Sequence, residues 1–296
     1  MNAIESLNVN RFIGQRIGTA TILKELARGG MAVVFIAYQQ TLKRQIAVKV
    51  LPKTNLTPQK AEFFQTEAEA AAILSHPNII QIFEVGETDE FLFFTMQLVQ
   101  GATLSNIMTM AKKHMVPSKR ILPLNRTLQI MMQVLDALDY AHQNDIIHMD
   151  VKPENILLEN HSKRPLVSDF GIARVLRGED HDDQTAGGSP LYMAPEQIIG
   201  STVDGRTDIY AAGIMLFQML VPVLPLPDFD SYESLLEQKL LNKAGIFQQE
   251  PSDLNPTLEK DMDKIVRRAT AYDPEQRYAT CQEFLKDIKW YHRRLL

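Results

Sequence analysis

The N-terminal part of the chain alternates between short apolar runs and polar positions. Five runs, rich in β-branched, aromatic and other apolar residues, cover residues 21–26, 32–38, 46–51, 79–85 and 91–96. Runs of this length and composition, bounded by glycine, proline and polar residues, are typical of β-strands. The pattern therefore predicts five strands in this part of the chain.

One helix is predicted between the third and the fourth of these runs. It covers roughly residues 57–74, with Thr57 placed to cap it, Pro58 in its first turn and His76-Pro77 after its end. A threonine hydroxyl can accept a hydrogen bond from a free N–H group of the first turn, and proline has no N–H group there to satisfy. The first part of the chain should therefore combine strands with a single main helix.

The pattern changes to a helical period after Gly101. From Leu128 to Ala141 apolar residues recur at three- and four-residue steps, which predicts a long helix that reaches about Gln143 and packs on more than one side. Residues 111–123, with lysines and two prolines, should form an extended loop before that helix. A small strand-rich lobe thus precedes a larger helical one, which is an α+β fold.

We expect an N-terminal extension over residues 1–16, a strand-rich lobe over residues 17–96 and a helical lobe over residues 102–296. Residues 97–101 should join the two lobes. Ligand pockets favour such junctions, so the segment that joins the lobes is the expected place of a binding cleft.

Composition and charge narrow the function classes. A chain of 296 residues, of which 45% are hydrophobic, can fill a sizeable core. Its 31 basic and 36 acidic residues give a formal net charge of -5 without a dense basic run, which argues against a nucleic-acid surface. The single cysteine, Cys281, excludes an intramolecular disulfide and fits a reducing compartment.

The chain shows no membrane or secretion signal. Residues 1–11 lack the charged start and apolar core of a secretion signal, and the most apolar later stretch, residues 210–220, is too short to span a bilayer. We therefore expect a cytoplasmic protein without a membrane segment, and we interpret residues 210–220 as a buried helix.

Two short motifs carry the candidate chemistry. The segment H-M-D-V-K-P-E-N runs from His148 to Asn155, and an S-D-F-G segment places Asp169 14 positions after Asn155. A proton-accepting carboxylate, a lysine and two oxygen ligands for Mg²⁺ are the parts needed to move a phosphoryl group from a nucleotide onto a hydroxyl. One such motif arises easily by chance, whereas several in the right order indicate this reaction.

With these motifs the chain resembles the protein kinase family, and within it the bacterial serine/threonine branch, from about residue 17 to residue 290. Further matching segments are A-V-K at residues 47–49, H-P-N-I-I at residues 76–80, G-S-P-L-Y-M-A-P-E ending at Glu196, D-I-Y-A-A-G from Asp208 and D-P-E-Q-R ending at Arg277. The resemblance implies a bilobal fold, with a five-stranded antiparallel lobe that carries one main helix and a larger, mainly helical lobe. It also implies transfer of the ATP γ-phosphate, with Mg²⁺, to Ser/Thr hydroxyls of protein substrates.

The resemblance assigns roles to the motif residues. Asp150 would orient the substrate hydroxyl and accept its proton, and Lys152 would contact the transferred phosphate, which favours Ser/Thr over Tyr as acceptor. Asn155 and Asp169 would bind the metal ions that bridge the nucleotide phosphates.

The strand lysine of the family corresponds to Lys49, which would hold the α- and β-phosphates. Its expected partner is Glu67, nine residues before His76. We favour Glu67 over Glu69, because positions two apart on a helix face different ways.

The resemblance also outlines an adenine pocket. Apolar side chains from both lobes would enclose the base, Met96 would close the back of the pocket, and backbone groups of Gln97 and Val99 would bind the base by hydrogen bonds. The enclosing side chains would be Val34 and Ala47 on one side and Leu157 on the other.

The glycine-rich loop departs from the family pattern G-x-G-x-x-G-x-V. This chain has Ala27, Gly29, Ala32 and Val34 at those positions, with Gly30 beside the one remaining glycine. Without the resemblance, Gly29-Gly30 would be a plain hairpin turn. Because a backbone that approaches phosphates closely tolerates a Cβ poorly, we expect the loop to cover ATP but to hold it loosely.

Met149 is a second departure, because many kinases carry an arginine there that binds a phosphate on the activation segment. Its absence weakens that electrostatic switch, so activity should not require phosphorylation between Asp169 and Glu196. Thr185 and Ser189 are the available hydroxyls in this segment. Ser189 resembles the Ser/Thr that contacts the catalytic aspartate and lysine, or else it is a turn residue before a proline.

Three further residues should act through folding. Glu196 and Arg277 resemble the buried ion pair that anchors the activation segment to the helical lobe, and Asp208 should brace the backbone of the catalytic loop.

An active kinase is the leading interpretation, and a pseudokinase that serves as a nucleotide-binding scaffold is the alternative. The altered glycine loop and Met149 favour the alternative. Against it stands the full set of expected catalytic and metal-binding side chains, which a scaffold does not need: Lys49, Glu67, Asp150, Lys152, Asn155 and Asp169.

Overall fold

The first lobe is an antiparallel sheet. The structure, a computed structural model, describes residues 9–29, 32–55, 65, 68–69, 71–116, 119–170 and 190–295. Within these residues the sheet has six strands: β1 (Arg16–Ile17), β2 (Ala20–Arg28), β3 (Val33–Gln39), β4 (Arg44–Pro52), β5 (Ile82–Glu87) and β6 (Phe91–Met96). Their order across the sheet is β1-β2-β3-β4-β6-β5.

The predicted number of five strands is wrong by one. The additional strand, β1, pairs Arg16 with Thr21 and Ile17 with Ala20. Two residues are too few to show a strand period in a sequence, which is why the pattern did not reveal β1.

The fourth predicted run begins later than expected, at Ile82 rather than at residue 79. Ile79 instead forms an isolated parallel bridge with Val167, and hydrogen bonds of 2.9 Å from Ile80 N to Val167 O and of 2.8 Å from Val167 N to Asn78 O flank it. Ile79 therefore connects the two lobes, a contact between distant residues that local periodicity does not encode.

The described part of the expected extension packs into the first lobe. Phe12 is buried and lies 5.3 Å from Phe35 and 5.6 Å from Phe91, measured between ring centroids. Most of the predicted helix over residues 57–74 lies outside the described residues. Residues 65, 68–69 and 71–73 are helical.

The second lobe is mainly helical, so the predicted α+β bilobal class is confirmed. The α-helices in its described residues are α1 (Leu104–Lys112), α2 (Leu124–His142), α3 (Pro195–Ile198), α4 (Arg206–Leu220), α5 (Tyr232–Leu241), α6 (Pro251–Leu254), α7 (Lys260–Ala269) and α8 (Cys281–Arg294). α2 is the predicted long helix, with apolar residues buried on several sides. α4 is buried along most of its length, as expected for residues 210–220. No helix in the described residues is both long and apolar enough to cross a membrane.

A small sheet at the start of the second lobe was not predicted. Its strands are β7 (Gly101–Thr103), β8 (Ile156–Glu159) and β9 (Pro165–Val167), in that order. A Cβ on Gly101 would lie 2.0 Å from the Leu158 carbonyl oxygen, so the close pairing of β7 with β8 requires glycine there. This sheet holds the segment that joins the lobes against the residues that flank the catalytic motifs.

Candidate active site

The backbone of the catalytic loop, residues 148–155, is held by a buried carboxylate from α4. Asp208 Oδ2 accepts a hydrogen bond of 2.8 Å from His148 N, and Oδ1 accepts one of 2.8 Å from Met149 N. His142 Nε2 donates to the same Oδ2 atom at 2.8 Å. Burial alone raises the pKa of Asp208, but the hydrogen bonds from His142 and His148 outweigh burial and lower it. Asp208 therefore stays ionised and fixes the start of the loop.

Met149 adopts a left-handed backbone conformation with φ of 68°, which is uncommon for a residue with a Cβ. Two neighbours hold this conformation. Asp208 accepts from its N–H group, and Gln197 Nε2 donates to its carbonyl oxygen at 3.2 Å. The strained turn is thereby maintained directly before Asp150.

The Asp150 carboxylate lies between two polar side chains of its own loop. Lys152 Nζ is 2.6 Å from Asp150 Oδ2. Asn155 Nδ2 donates to the same oxygen at 3.0 Å and to the Asp150 carbonyl at 2.8 Å. The structure thus brings together three of the predicted residues, with the carboxylate fixed in orientation.

The two motifs contact each other directly, although the second begins 13 positions after the first ends. Ser168 N donates to Asn155 O at 2.9 Å, and Ser168 Oγ donates to the same oxygen at 3.1 Å. His148 Nδ1 accepts from Asp150 N at 3.2 Å, so Nε2 carries the proton donated to Ser168 O at 2.8 Å. Ser168, the residue directly before Asp169, is therefore hydrogen-bonded to both ends of the catalytic loop, which fixes the backbone that leads into Asp169.

Lys49 reaches Asp169 from the first lobe. It lies on β4, opposite Val34 of β3 and Phe94 of β6, and its Nζ atom is 2.5 Å from Asp169 Oδ1. Burial raises the pKa of Asp169, but the charge and hydrogen bond of Lys49 outweigh burial and lower it. A carboxylate that stays ionised is the form that binds a cation.

The expected partner of Lys49, Glu67, lies outside the described residues, as does Gly171 of the second motif. Glu69, the residue we did not favour, is exposed and accepts a hydrogen bond of 3.0 Å from Gln65. The structure gives Lys49 an ion pair with Asp169, a contact that the sequence did not predict.

The donors at this site fit a hard divalent cation. Both hydrogen bonds of the Asn155 side chain use Nδ2, which leaves its carbonyl oxygen Oδ1 as a ligand. Asp169 bonds Lys49 through Oδ1, which leaves Oδ2. An amide oxygen and a carboxylate oxygen are ligand types that Mg²⁺ prefers. No cluster of three or more His, Cys, Asp or Glu side chains suited to a metal occurs in the described part of the chain.

Residues of the expected adenine pocket lie on elements that meet at the junction of the lobes. Ala47 of β4 pairs with Met96 of β6, and Leu157 lies on β8, next to β7. Met96 also lines a small cavity together with Asp169. The Gln97 N–H group donates to Gln81 O at 2.9 Å, so of its two backbone groups only the carbonyl is left for a base. Val99 lies in the same joining segment.

The turn between β2 and β3 shows how the chain accommodates its missing glycines. Ala27 is exposed and pairs in register with Val34, so its Cβ meets no obstacle. Gly29 N donates to Ala32 O at 2.9 Å, and a Cβ on Gly29 would be no closer than 3.7 Å to that oxygen. The protein itself therefore does not require glycine at position 29. Gly30 lies outside the described residues.

The segment after residue 189 is anchored by a buried ion pair. Arg277 donates to Glu196 through two nitrogens, at 2.7 Å and 2.8 Å, and Thr207 Oγ1 donates to Glu196 Oε1 at 2.9 Å. Arg277 Nε also donates to the Ala271 carbonyl at 2.7 Å. Thr185 and Ser189 lie outside the described residues.

Two residues with clear structural roles were missed by the sequence analysis. Gln197 supports Met149, and Lys239 of α5 donates to backbone carbonyls of residues 190, 191 and 193. Their partners are backbone atoms, which every residue has, so no motif could have indicated them.

Activity should persist after phosphatase treatment. Met149 has no charge with which to hold a phosphate, and its backbone is held by Asp208 and Gln197 instead. We expect phosphatase-treated protein to keep its rate of phosphoryl transfer within about twofold, measured after the phosphatase is removed. Loss of the rate after treatment, with recovery on rephosphorylation between Asp169 and Glu196, would contradict this prediction.

Comparison with known proteins agrees with this geometry. The protein kinase domain family model matches residues 20–290. Serine/threonine-protein kinase PrkC of Bacillus subtilis is 36% identical over 281 residues, which is 94% of this chain and 41% of the relative. Serine/threonine-protein kinase Pkn1 of Myxococcus xanthus is 34% identical over 280 residues, which is 92% of this chain and 38% of the relative.

The fold also matches solved structures. A crystal structure of the PknI kinase domain of Mycobacterium tuberculosis superposes with a TM-score of 0.75 at 28% sequence identity, covering 94% of this chain and 98% of that domain. The chain spans about two fifths of the length of the two curated relatives, 41% and 38%. By the extent of the family match and by this likeness, the chain belongs to the protein kinase domain family, among relatives that are bacterial serine/threonine kinases.

Proposed function

We propose that this chain transfers the γ-phosphate of ATP to serine or threonine hydroxyls of protein substrates. One observation carries the proposal: the Lys49–Asp169 pair and the group of Asp150, Lys152 and Asn155 lie together at the junction of the lobes, joined through Ser168, the neighbour of Asp169. Phosphoryl transfer depends mainly on positioning and on charge stabilisation, and this cluster provides groups for both.

The roles follow from the contacts. Asp150 accepts the proton of the substrate hydroxyl while the oxygen forms its bond to the γ-phosphorus and the bond to the ADP oxygen breaks. Lys152, 2.6 Å from Asp150, is near enough to neutralise charge on the phosphate in transfer. When ATP binds, Lys49 gives up its bond to Asp169 and binds the α- and β-phosphates instead. Its present bond to Asp169 is compatible with this role because both partners lie at the same site.

Mg²⁺ would be held by Asn155 Oδ1 and Asp169 Oδ2, and when bound it neutralises charge on the phosphates. Val34, Ala47, Met96 and Leu157 would enclose the adenine, and the carbonyl of Gln97 and the backbone of Val99 would bind it. Ala27 and Gly29, with Gly30, would form the cover over the phosphates.

The test is incubation with labelled ATP, Mg²⁺ and a generic protein substrate, followed by phosphoamino-acid analysis. We expect label on serine or threonine. Absence of any label would favour the scaffold alternative. Label on a small molecule alone would contradict a protein kinase.

Lys49→Met should lower kcat/KM by about 10²–10³-fold, because it removes a preorganised positive charge from the phosphate site. Without Lys49 only the weaker charges of His148 and Lys152 oppose burial, so the pKa of Asp169 should rise and metal binding should also weaken as the pH falls. Initial rates at several Mg²⁺ concentrations check both effects. The matched control is Lys53→Met, which removes a half-buried lysine that directly follows the same strand and pairs with the exposed Glu87 at 2.7 Å. A Lys49→Met rate equal to that of the control would overturn the assigned role.

A further inference from the structure

Lys239 is a buried lysine that has no carboxylate partner among the described residues. It lies on α5 with 2% of its surface exposed, and no carboxylate of the described residues lies within ion-pair distance of its Nζ atom. Burying an ammonium is costly unless hydrogen bonds replace those it makes to water, so Lys239 needs acceptors within the protein.

Three backbone carbonyls replace the water around Lys239. Its Nζ atom donates to Pro190 O at 3.0 Å, to Leu191 O at 2.6 Å and to Met193 O at 2.7 Å. The Tyr210 ring lies 5.1 Å from the same atom. An ammonium has three N–H donors, and all three are used on one short segment, residues 190–193, which we call the anchored segment.

The anchored segment is linked to the catalytic loop through the side chain of Gln197. Ala194 N, one residue further on, donates to Gln197 Oε1 at 2.9 Å, and Gln197 Nε2 donates to Met149 O, beside Asp150. Tyr192 of the segment donates from its hydroxyl to Gln218 Oε1 at 2.5 Å. The anchored segment is therefore linked through Gln197 to the backbone beside Asp150, the residue to which a substrate peptide would present its hydroxyl.

We propose that Lys239 is a positioning residue for the protein substrate: its three hydrogen bonds hold the anchored segment in the shape on which a peptide docks beside Asp150. This inference rests on the proposed kinase activity. It goes beyond that activity because it assigns peptide affinity, rather than ATP affinity or the chemical step, to a residue remote from both motifs.

The protonation state of Lys239 should determine how many hydrogen bonds hold the anchored segment. Burial, together with the weaker effect of the Arg277 charge, lowers the pKa of Lys239 to about 7, and the charge of Glu196 opposes this change. Burial raises the pKa of the neighbouring Tyr210 well above its ordinary value, so that ring stays neutral. The remaining charged groups of α5 itself are the exposed Glu233 and Glu237. The ammonium with three donors therefore predominates below about pH 7, and above it the amine has only two donors for three carbonyls.

We expect the KM for a Ser/Thr peptide to rise as the pH increases through about 7. The kcat at saturating peptide should not follow this change, because Lys239 is assigned to peptide affinity and not to the chemical step. Initial rates at saturating ATP and Mg²⁺, from about pH 6 to about pH 8.5, measure both for the 296-residue chain. Lys239→Met should raise the peptide KM about tenfold at the acidic end, leave kcat within about twofold and remove the pH dependence of KM.

The matched control is Lys243→Met, because Lys243 lies four positions further along the chain, just after α5, is exposed and places its Nζ atom 5.9 Å from the centre of the Tyr272 ring. This control should reproduce the wild-type KM profile. A Lys239→Met profile that matches the control would overturn the proposal. The proposal would also be overturned if Lys239→Met lowered kcat or raised the KM for ATP and left the KM for peptide unchanged. If Lys239→Met does not fold, the pH dependence of the peptide KM in the wild type tests the proposal instead. A peptide KM that is independent of pH across this range would then overturn it.

A second readout separates this proposal from the proposed function. Hydrogen exchange at one fixed pH should be faster in a fragment covering residues 190–197 of Lys239→Met than in the same fragment of Lys243→Met. If the wild type phosphorylates no protein, the kinase assignment fails but this difference still tests the anchor. Equal exchange in the two variants would overturn the anchor even in an active enzyme.

Discussion

Asp150→Asn should lower kcat by about 10²–10⁴-fold while the KM for ATP changes only a few-fold. Asparagine keeps the shape of the side chain and can still accept a hydrogen bond from Lys152, which is 2.6 Å away in the wild type. It cannot take the proton of a substrate hydroxyl at neutral pH. The loss therefore falls on the chemical step and not on nucleotide binding.

Single-turnover and steady-state rates with a Ser/Thr peptide measure this effect. The matched control is Asp145→Asn, five positions upstream. Asp145 is exposed and has a positive φ of 60°, a conformation that asparagine also tolerates. The control should keep its kcat within about twofold. A wild-type kcat in Asp150→Asn would remove Asp150 from the proposed mechanism.

The larger elements of the fold were predictable because their apolar periods are long. The helix α2 was predicted to end near Gln143 and ends at His142, and the strand β6 was predicted with its observed bounds. The short strands β1, β7, β8 and β9 were missed, since two to four residues do not establish a period. Gly101 carried a signal that was interpreted only as a boundary, whereas its lack of a Cβ is what allows β7 to approach β8.

The candidate site was predictable only where motifs carry it. The contact between the two motifs runs through backbone atoms, such as Ser168 N to Asn155 O, yet the spacing of the motifs was enough to indicate it. The ion pair of Lys49 with Asp169 joins positions 120 apart, and only folding brings them together. Lys239 and Gln197 bind carbonyl groups, whose positions depend on the fold and not on residue type.

Arg277→Met should lower the free energy of unfolding by about 3–5 kcal/mol. The substitution leaves the buried Glu196 without its two bonds to a guanidinium, at 2.7 Å and 2.8 Å, and removes the donor to the Ala271 carbonyl. An unpaired buried carboxylate costs more than an ion pair gains, so the loss should far exceed that of a surface pair. Urea or guanidinium unfolding, followed by circular dichroism, measures the change.

The surface comparison is Arg294→Met. Arg294 is 44% exposed, and it pairs with Glu259 and Asp261 at 2.7 Å each. Exposed pairs of this kind contribute about 0–1 kcal/mol, so this variant should stay close to the wild type although it loses two ion pairs. A loss in Arg277→Met no larger than in Arg294→Met would show that burial gives the inner pair no special weight.

The double variant Glu196→Leu with Arg277→Met separates the stranded charge from the lost contacts. If the cost of Arg277→Met comes mainly from an unpaired carboxylate, removing that carboxylate as well should restore part of the stability, and the two single losses should sum to more than the double loss. Thr207 would lose its acceptor on Glu196, so recovery should be incomplete. Strict additivity of the two single losses would mean that the pair acts through its separate contacts. In that case the ion pair would not couple the segment after residue 189 to the helical lobe.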